Sequence, residues 1–353
     1  LEPVLVGELA GIASDARVFA PGRVDARSGR SFAELLRART ALDVGLVLET
    51  TRIDADDDAA LVARALASER ASHALTRLTT GPVRVRVAWA DGAKRRKETW
   101  RVAEILRDAE SAVVSDSRDA PWEAIAFVEP RRLRLELYPA LDDDRFAYRV
   151  ADVPAASHPT IAAALARVAG VVADDVVWDP FVGSGLELCE RARLGPYARL
   201  IGTDIDERAL ERARANLASA GVARHSLIHG DARRAETGPI SLVVTNPPMG
   251  RRVSRGADLG ALLSDVISRA ATKLGPKGRI VILSPTPGET ARAARSAGLV
   301  SSVAMRVDLG GFVAELQRWD IPADAGVKSR SELGNAARRT SPSQRGPARG
   351  SRR

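Results

Sequence analysis

Residues 176–185 read VVWDPFVGSG, a short apolar strand that ends on Asp179 and a glycine-containing turn that leads into a helix over 186–194. The same order of strand, turn and helix recurs downstream. The apolar patterning there predicts strands at 200–203, 227–228, 240–245 and 280–283 and helices at 207–218 and 259–273. Alternating strands and helices predict an α/β fold with a doubly wound parallel sheet.

Two local signals mark the ends of this domain. Thr160 is a predicted N-cap for a helix over 161–168, directly after a linker-like stretch between Pro139 and Pro159. Near the other end, Gly310-Gly311 separates apolar runs at 303–307 and 312–319. Such a pair predicts a hairpin that adds an antiparallel strand to the sheet.

The first 150 residues have a mixed α and β pattern. Ser31 and Glu34 form a capping box that predicts a helix through residue 39. Further helices are predicted at 4–10, 59–71 and 100–108, and strands at 44–48, 83–87, 122–128 and 133–138.

Composition limits the class of protein. A length of 353 residues suggests two or more domains, and 45% hydrophobic residues can fill sizeable cores. No apolar run reaches the length of a membrane span, and no signal peptide is visible after Leu1, so a cytoplasmic protein is expected. A single cysteine, Cys189, and four scattered histidines predict neither a disulfide framework nor a metal site.

The net charge of +8 is concentrated at the C-terminus. Residues 327–353 hold eight Arg or Lys and one acid, which leaves a net charge of +1 for the rest of the chain. The whole chain is therefore not a basic nucleic-acid binder by composition. The Ser-, Pro-, Gly- and Arg-rich tail is predicted to be disordered and suggests salt-sensitive contact with a polyanion.

One polar side chain ends each of four successive predicted strands. These residues are Asp179, Asp204, Asp231 and Asn246. In a doubly wound sheet, ligands bind beyond the carboxyl ends of the strands, so the four are expected at one site. Each aspartate alone could instead serve a turn or cap a helix.

The three aspartates fit the parts of S-adenosyl-L-methionine. Asp179, beside Gly183 and Gly185, suits a cationic amino group better than a pyrophosphate. Asp204 can accept both ribose hydroxyls, and Ile205 can pack on adenine. Asp231 and the Ala232 amide can bind the adenine edge. A dinucleotide oxidoreductase is an alternative on fold alone, although the glycine spacing is not G-x-G-x-x-G.

Asn246-Pro247-Pro248 follows a predicted buried strand and is rigid, because each proline fixes φ and removes a backbone donor. The Asn246 side-chain oxygen and the Pro247 carbonyl could accept the two hydrogens of an exocyclic amine. The turn thus predicts a clamp that aims such an amine at an electrophile. The alternative is a stiff strand-to-helix loop.

The stretches 179–185, 202–206, 230–232 and 245–250 resemble the successive motifs of Rossmann-like class I methyltransferases that act on exocyclic amines. More narrowly, residues 1–320 are similar to the THUMP-domain RNA guanine-N2 methyltransferases. Segments 1–9, 37–48, 121–123 and 145–149 carry the N-terminal part of the resemblance. It implies an α+β ferredoxin-like part at 1–55, a THUMP-like RNA-binding domain at 56–150, a methyltransferase domain at 151–322 and a basic tail at 323–353.

By this resemblance, Asn246, Pro247, Pro248 and Met249 form the catalytic turn, Asn246 also borders the cofactor, and Phe181 joins the cofactor-binding loop. Residues 157–160, with Ser157, His158 and Thr160, border the methionine end of the cofactor. Two positions depart from the family pattern. Met249 stands where an aromatic residue commonly stacks on the base, and Leu186 where Thr is frequent.

The predicted function is SAM-dependent methylation of guanosine N2 in tRNA or large-subunit rRNA by a monomeric enzyme without a metal or membrane partner. Arg251, Arg252 and Arg255 are candidate contacts to RNA phosphates. A DNA adenine-N6 methyltransferase and a catalytically idle RNA-binding protein are the alternatives.

Overall fold

The structure is a computed structural model and describes residues 1–53, 56–153, 158–249 and 258–323. The chain forms two compact units, one over Glu2–Phe146 and a second that begins at Ala147. Within the part of the chain described, no helix combines the length and apolar character that a membrane crossing requires.

The first unit contains a five-stranded mixed sheet. Its strands are β3 (Leu46–Thr51), β4 (Val83–Trp89), β5 (Val113–Ser115), β6 (Trp122–Val128) and β7 (Arg132–Pro139), in the spatial order β3-β7-β6-β4-β5. β4 pairs in parallel with β5 and β6, and β7 runs antiparallel to β3 and β6. The sheet therefore crosses the boundary predicted at residue 55, because β3 pairs with a strand about 85 residues away.

Helices cover one face of this sheet. They are α2 (Phe32–Leu35), α3 (Asp58–Ala67), α4 (Glu69–Leu78) and α5 (Arg96–Asp108), whereas α1 (Glu2–Leu9) packs against Ile12, Ala16 and Val24 in a separate small cluster. Alternate β7 residues Leu133, Leu135 and Leu137 are fully buried in the core that α3 also supplies. The capping box at Ser31 is confirmed, but its helix ends at Leu35 rather than residue 39.

The helix predicted over 59–71 is two helices. Ser68 has extended backbone angles, so it ends α3 and its hydroxyl caps α4 by accepting from the Ala71 amide at 3.3 Å. Apolar periodicity could not detect this break, because alanines recur on both sides of Ser68.

A hairpin of β1 (Ser14–Ala20) and β2 (Arg23–Arg27) was not predicted from sequence. It lies against the other face of β7 through charged pairs. Arg134 bonds Asp25 at 2.6 Å, and Arg23 bonds Glu136 at 3.2 Å. The hairpin thus depends on partners over 100 residues away rather than on an alternating apolar pattern.

The second unit contains a seven-stranded sheet. Its strands are β8 (Val176–Asp179), β9 (Arg199–Asp204), β10 (His225–His229), β11 (Ile240–Thr245), β12 (Leu274–Ser284), β13 (Val300–Asp308) and β14 (Val313–Asp320). The spatial order is β10-β9-β8-β11-β12-β14-β13. β8 to β12 are parallel, and β14 is antiparallel to both β12 and β13. The predicted doubly wound sheet and closing hairpin are confirmed.

The helices between these strands are α6 (Pro159–Ala169), α7 (Leu186–Leu194), α8 (Glu207–Ser219), α9 (Leu259–Lys273) and α10 (Pro287–Ser296). The N-cap predicted at Thr160 is wrong. His158 caps α6, because Pro159 already occupies the first helical turn, where its missing amide costs nothing. α10 was not predicted, since its alanine and arginine content gives a weak apolar stripe.

Candidate active site

The strand order of the second sheet reverses between β8 and β11. From β8 the chain moves outward through β9 and β10, then returns to the other side of β8 as β11. The carboxyl ends of β8 and β11 therefore flank the crevice where doubly wound sheets bind ligands. Asp179 ends β8, and Thr245 ends β11 directly before Asn246.

A hydrogen bond joins these two strand ends. The Thr245 hydroxyl donates to Asp179 Oδ1 at 2.6 Å, and the Phe181 amide donates to the same oxygen at 3.1 Å. Asp179, where the glycine turn begins, is thereby joined to Thr245, the residue directly before Asn246. Chain order alone could not predict this bond.

Asp179 is fully buried, and its Oδ2 oxygen has no hydrogen-bond partner among the residues that the structure describes. Burial raises the pKa of the Asp179 carboxyl well above its ordinary value, and the nearby Glu187 and Asp204 carboxylates raise it further. A buried acceptor of this kind fits a cationic ligand group, since a cation would both complete its hydrogen bonding and offset the desolvation.

The glycine loop between β8 and α7 packs directly on α8. Gly185 has φ +81°, and a Cβ at this position would lie 3.3 Å from Ala213 Cβ. Glycine is needed here for both reasons, the left-handed backbone and the close approach of a helix. The result is a tight backbone turn that is held against α8.

Asp204, at the end of β9, holds the glycine loop by a hydrogen bond to its backbone. Its Oδ2 accepts from the Gly183 amide and its Oδ1 from the Asp206 amide, both at 2.9 Å. The next residue, Ile205, is 76% exposed. An exposed large apolar side chain beside a carboxylate suits the stacking of a flat ring that also presents hydroxyls.

Asp231 lies near Asp204, because the Gly230 amide donates to the Asp204 carbonyl at 2.9 Å. Its carboxylate caps the 3₁₀ turn Ala232–Arg234 and forms a bidentate ion pair with Arg233. The hydrogen bond from Arg233 lowers the pKa of Asp231. The cap role that sequence left open is thus present, and the adenine role of Asp231 and Ala232 stays a prediction.

The Asn-Pro-Pro turn is partly enclosed. Pro247 is buried, and Asn246, Pro248 and Met249 are half-buried at the end of β11. Ser157 and the three candidate phosphate contacts Arg251, Arg252 and Arg255 lie outside the described residues. At the start of α6, Thr160 is buried and its hydroxyl lies 2.9 Å from His158 Nδ1.

Sequence reasoning missed several buried polar residues around the glycine loop. Glu187 is 5% exposed in the first turn of α7, and Asn216 on α8 is fully buried. Tyr148 donates to Glu190 at 2.6 Å. Glu187 and Asn216 could have been indicated only by the placement of a polar residue on the apolar face of its helix.

Comparison with known proteins agrees with this geometry. Residues 147–315 match the model of a protein family described as UPF0020, RMKL-like, methyltransferase domain. A tRNA (guanine(10)-N2)-dimethyltransferase of Methanothermobacter thermautotrophicus is 29% identical over 176 residues, which cover 47% of this chain and 52% of the relative. A tRNA (guanine(6)-N2)-methyltransferase of Thermus thermophilus is 33% identical over 138 residues, which cover 38% of this chain and 41% of the relative.

The chain spans about half the length of these relatives or less. The solved structure of TrmN from Thermus thermophilus shares the fold of both units. It has a TM-score of 0.69 at 24% identity and covers 91% of this chain and 97% of its own.

Sheet order, closing hairpin and glycine loop together define the second unit as a class I methyltransferase fold, as predicted. Residues 147–315 are thus a methyltransferase domain similar to the UPF0020, RMKL-like family, and the fold indicates S-adenosyl-L-methionine as its cofactor.

Proposed function

We propose that this chain transfers a methyl group from S-adenosyl-L-methionine to the exocyclic N2 amine of a guanosine in tRNA. The observation that carries the proposal is the 2.6 Å bond between Thr245 and Asp179. It fixes the Asn-Pro-Pro turn beside a glycine loop that contains a buried acceptor. An amine clamp and a site for a cationic methyl donor are then neighbours.

The residues at the sheet edge fit the cofactor. Asp179 would hold the methionine amino group, Asp204 the ribose hydroxyls and Ile205 the adenine face. Gly183 and Gly185 would shape the loop whose backbone faces the methionine chain, while Phe181, Asp231, Ala232, Ser157, His158 and Thr160 would complete the site. When bound, the cofactor supplies a sulfonium methyl group, which is electrophilic without help from a metal.

Asn246 would orient the amine rather than deprotonate it. Its side-chain oxygen and the Pro247 carbonyl accept the two amine hydrogens, so the nitrogen lone pair points out of the guanine plane. Pro248 keeps the turn rigid, and Met249 packs its thioether on the base. Holding the nitrogen in line supplies most of the rate enhancement, and the amine proton leaves to solvent after transfer.

Two features support tRNA as the substrate. Both relatives are named for guanosine N2 in tRNA. The first unit, whose fold is shared with TrmN, would act as the THUMP-like RNA-binding part. Large-subunit rRNA is the other RNA to test, and a cytoplasmic monomer is the expected form of the enzyme.

The direct test is methyl transfer from labelled cofactor to tRNA, rRNA and DNA side by side, followed by nucleoside analysis. N2-methylguanosine in tRNA is the expected product. Asn246→Ala should lower kcat at least about 100-fold, because orientation of the amine is lost, while cofactor affinity stays within about two-fold.

Asp204→Ala is the matched variant. It should weaken cofactor binding, measured by calorimetry, because it removes the ribose acceptor. Methylated adenine in DNA as the main product, or unchanged turnover by Asn246→Ala, would contradict the proposal.

A further inference from the structure

Asn216 is a fully buried amide on α8 that contacts two segments of the site. Its Nδ2 donates to the Ser184 carbonyl at 2.9 Å and to the Ala151 carbonyl at 2.8 Å. Its Oδ1 accepts from the Ala151 amide at 2.9 Å. The side chain can have only one orientation here, because Nδ2 must face the two carbonyl acceptors and Oδ1 must face the amide donor.

The Ala151 contacts bind a backbone segment that has no regular secondary structure. This lead-in segment, residues 147–153, begins the second unit and runs toward His158 and α6. Asn216 bonds both the amide and the carbonyl of Ala151, as a neighbouring strand would. A second attachment comes from Tyr148, which donates to Glu190 on α7.

The other contact fixes the glycine loop from behind. Ser184 lies between Gly183, whose amide bonds Asp204, and Gly185, which packs on Ala213. Ala213 and Asn216 are three residues apart, so they lie on the same face of α8. This face of α8 therefore holds the glycine loop by an apolar contact from Ala213 and a hydrogen bond from Asn216.

The lead-in segment and the loop also approach each other. A Cβ on Gly183 would lie 3.8 Å from Val153 Cγ2. Val153 is the last described residue before His158, which with Thr160 is among the residues predicted to border the methionine end. Asn216 thus holds the backbone that leads to these residues and the loop at a set separation.

We propose that Asn216 is a positioning residue that builds the methionine end of the cofactor site by holding the glycine loop and the lead-in segment together. The inference rests on the proposed cofactor but not on the proposed RNA substrate. Asn216 touches neither cofactor nor amine. It acts through the Ser184 and Ala151 backbone.

The test uses Asn216→Asp in the full chain, because the carboxylate keeps the shape and the acceptor but loses both donors. Cofactor affinity should fall roughly ten-fold or more, since the loop carbonyl would face a repelling oxygen, whereas kcat at saturating cofactor should change less than about three-fold. Calorimetry gives the affinity, and steady-state kinetics separate the KM for cofactor from kcat.

Two further variants distinguish the positioning role of Asn216 from a general loss of stability. Tyr148→Phe removes the second attachment of the lead-in segment and should weaken cofactor binding by a smaller factor. Ser241→Ala removes a partly buried hydrogen bond to Asp175 at the opposite edge of the sheet, so it should lower stability without changing cofactor affinity. Hydrogen exchange in the absence of cofactor should be faster at the Ala151 and Gly185 amides in Asn216→Ala, but not in Ser241→Ala.

A folded Asn216→Asp protein with cofactor affinity within two-fold of the unmodified protein would overturn the inference. So would equal loss of affinity in Ser241→Ala, which would make the effect one of general stability. If Asn216→Asp does not fold, Tyr148→Phe and hydrogen exchange decide. Normal cofactor binding without methylation of any RNA would refute only the substrate assignment, and no cofactor binding by the unmodified protein would refute both.

Discussion

Asp179, which we propose binds the cofactor, is unfavourably buried in the ligand-free fold. Its carboxyl is fully buried, faces the carboxylates of Glu187 and Asp204, and has a raised pKa. A raised folded-state pKa means that ionisation of this carboxyl costs more in the folded protein than in the unfolded chain. Its stabilising contribution is present below the ordinary value of 3.8 and is lost as the pH rises through the folded-state pKa.

Asp179→Asn should therefore stabilise the ligand-free protein at about pH 8, because the neutral amide need not ionise in a buried site. The gain in melting temperature over the unmodified protein should shrink toward about pH 4, where both side chains are neutral. The same variant should lose cofactor affinity by about ten-fold or more, since an amide cannot balance the charge of an ammonium group. Calorimetric melting at both pH values and cofactor titration check the two halves.

Asp204→Asn is the control for this experiment, because Asp204 is partly exposed and its oxygens already accept two backbone amides. It should not stabilise the protein at high pH. A destabilised Asp179→Asn protein at about pH 8 would contradict the assignment of Asp179 as a strained acid.

Sequence predicted the strand-end residues but not their connections. Asp179, Asp204 and Asn246 could be found because each directly follows an apolar run, and strand ends of a parallel sheet share one edge. The bond from Thr245 to Asp179, the ion pair of Asp231 and the buried Asn216 depend on side-chain positions that chain order does not specify. The position of these residues at one edge of the sheet could thus be predicted from sequence, and the bonds among them could not.

At the opposite edge of the sheet, one buried carboxylate joins four elements. Asp175, just before β8, accepts from Arg191 on α7 at 2.7 Å, from Arg279 on β12 at 2.7 and 3.0 Å, and from Ser241 on β11 at 2.7 Å. The two arginines also donate to carbonyls at the end of α6 and the end of α7. The cluster joins strands and helices at the edge of the sheet opposite the candidate active site.

Asp175→Asn should destabilise the protein by about 3–5 kcal/mol, because two guanidinium groups stay buried without their counter-charge. Burial alone would raise the pKa of Asp175, but hydrogen bonds from Arg279, Arg191 and Ser241 outweigh it and lower the pKa to about 2. The stabilisation is therefore full above the ordinary value of 3.8 and disappears as the pH falls toward about 2. Denaturant unfolding at about pH 7 and about pH 3 should show the difference between the two proteins shrinking in acid.

Ser241→Ala should cost only about 1 kcal/mol, since the arginines keep their counter-ion. Equal losses in the two variants would contradict the role of the charge cluster. Strands β8 to β12 were predictable because each is an apolar run between turn signals. The charged hairpin of β1 and β2 was not, because its stabilising partners Arg134 and Glu136 lie on another strand, outside any local window.

Most of the net positive charge of the chain lies in the tail, residues 327–353, and not in the methyltransferase domain. Eight basic residues and one acid lie in residues 327–353, while the rest of the chain has a net charge of +1. A substrate as anionic as tRNA gains affinity from such a segment without any base-specific contact. This tail and its predicted disorder lie outside the described residues; we expect it to contribute to affinity and its salt dependence, and the two described units to the choice of nucleotide.

Deleting residues 327–353 should weaken tRNA binding and flatten the plot of log affinity against log salt concentration. Each lost phosphate contact should reduce the slope by about 0.7–0.9, because fewer counterions are released. A full-length variant with Gln at the eight basic positions is the matched control, since it keeps the length of the tail and removes its charge. The two variants should behave alike, with an unchanged methylated position and unchanged kcat at saturating tRNA. An unaltered slope in either variant would mean that the contacts to phosphate lie within residues 1–326, and a changed methylation site would mean that the tail also selects the nucleotide.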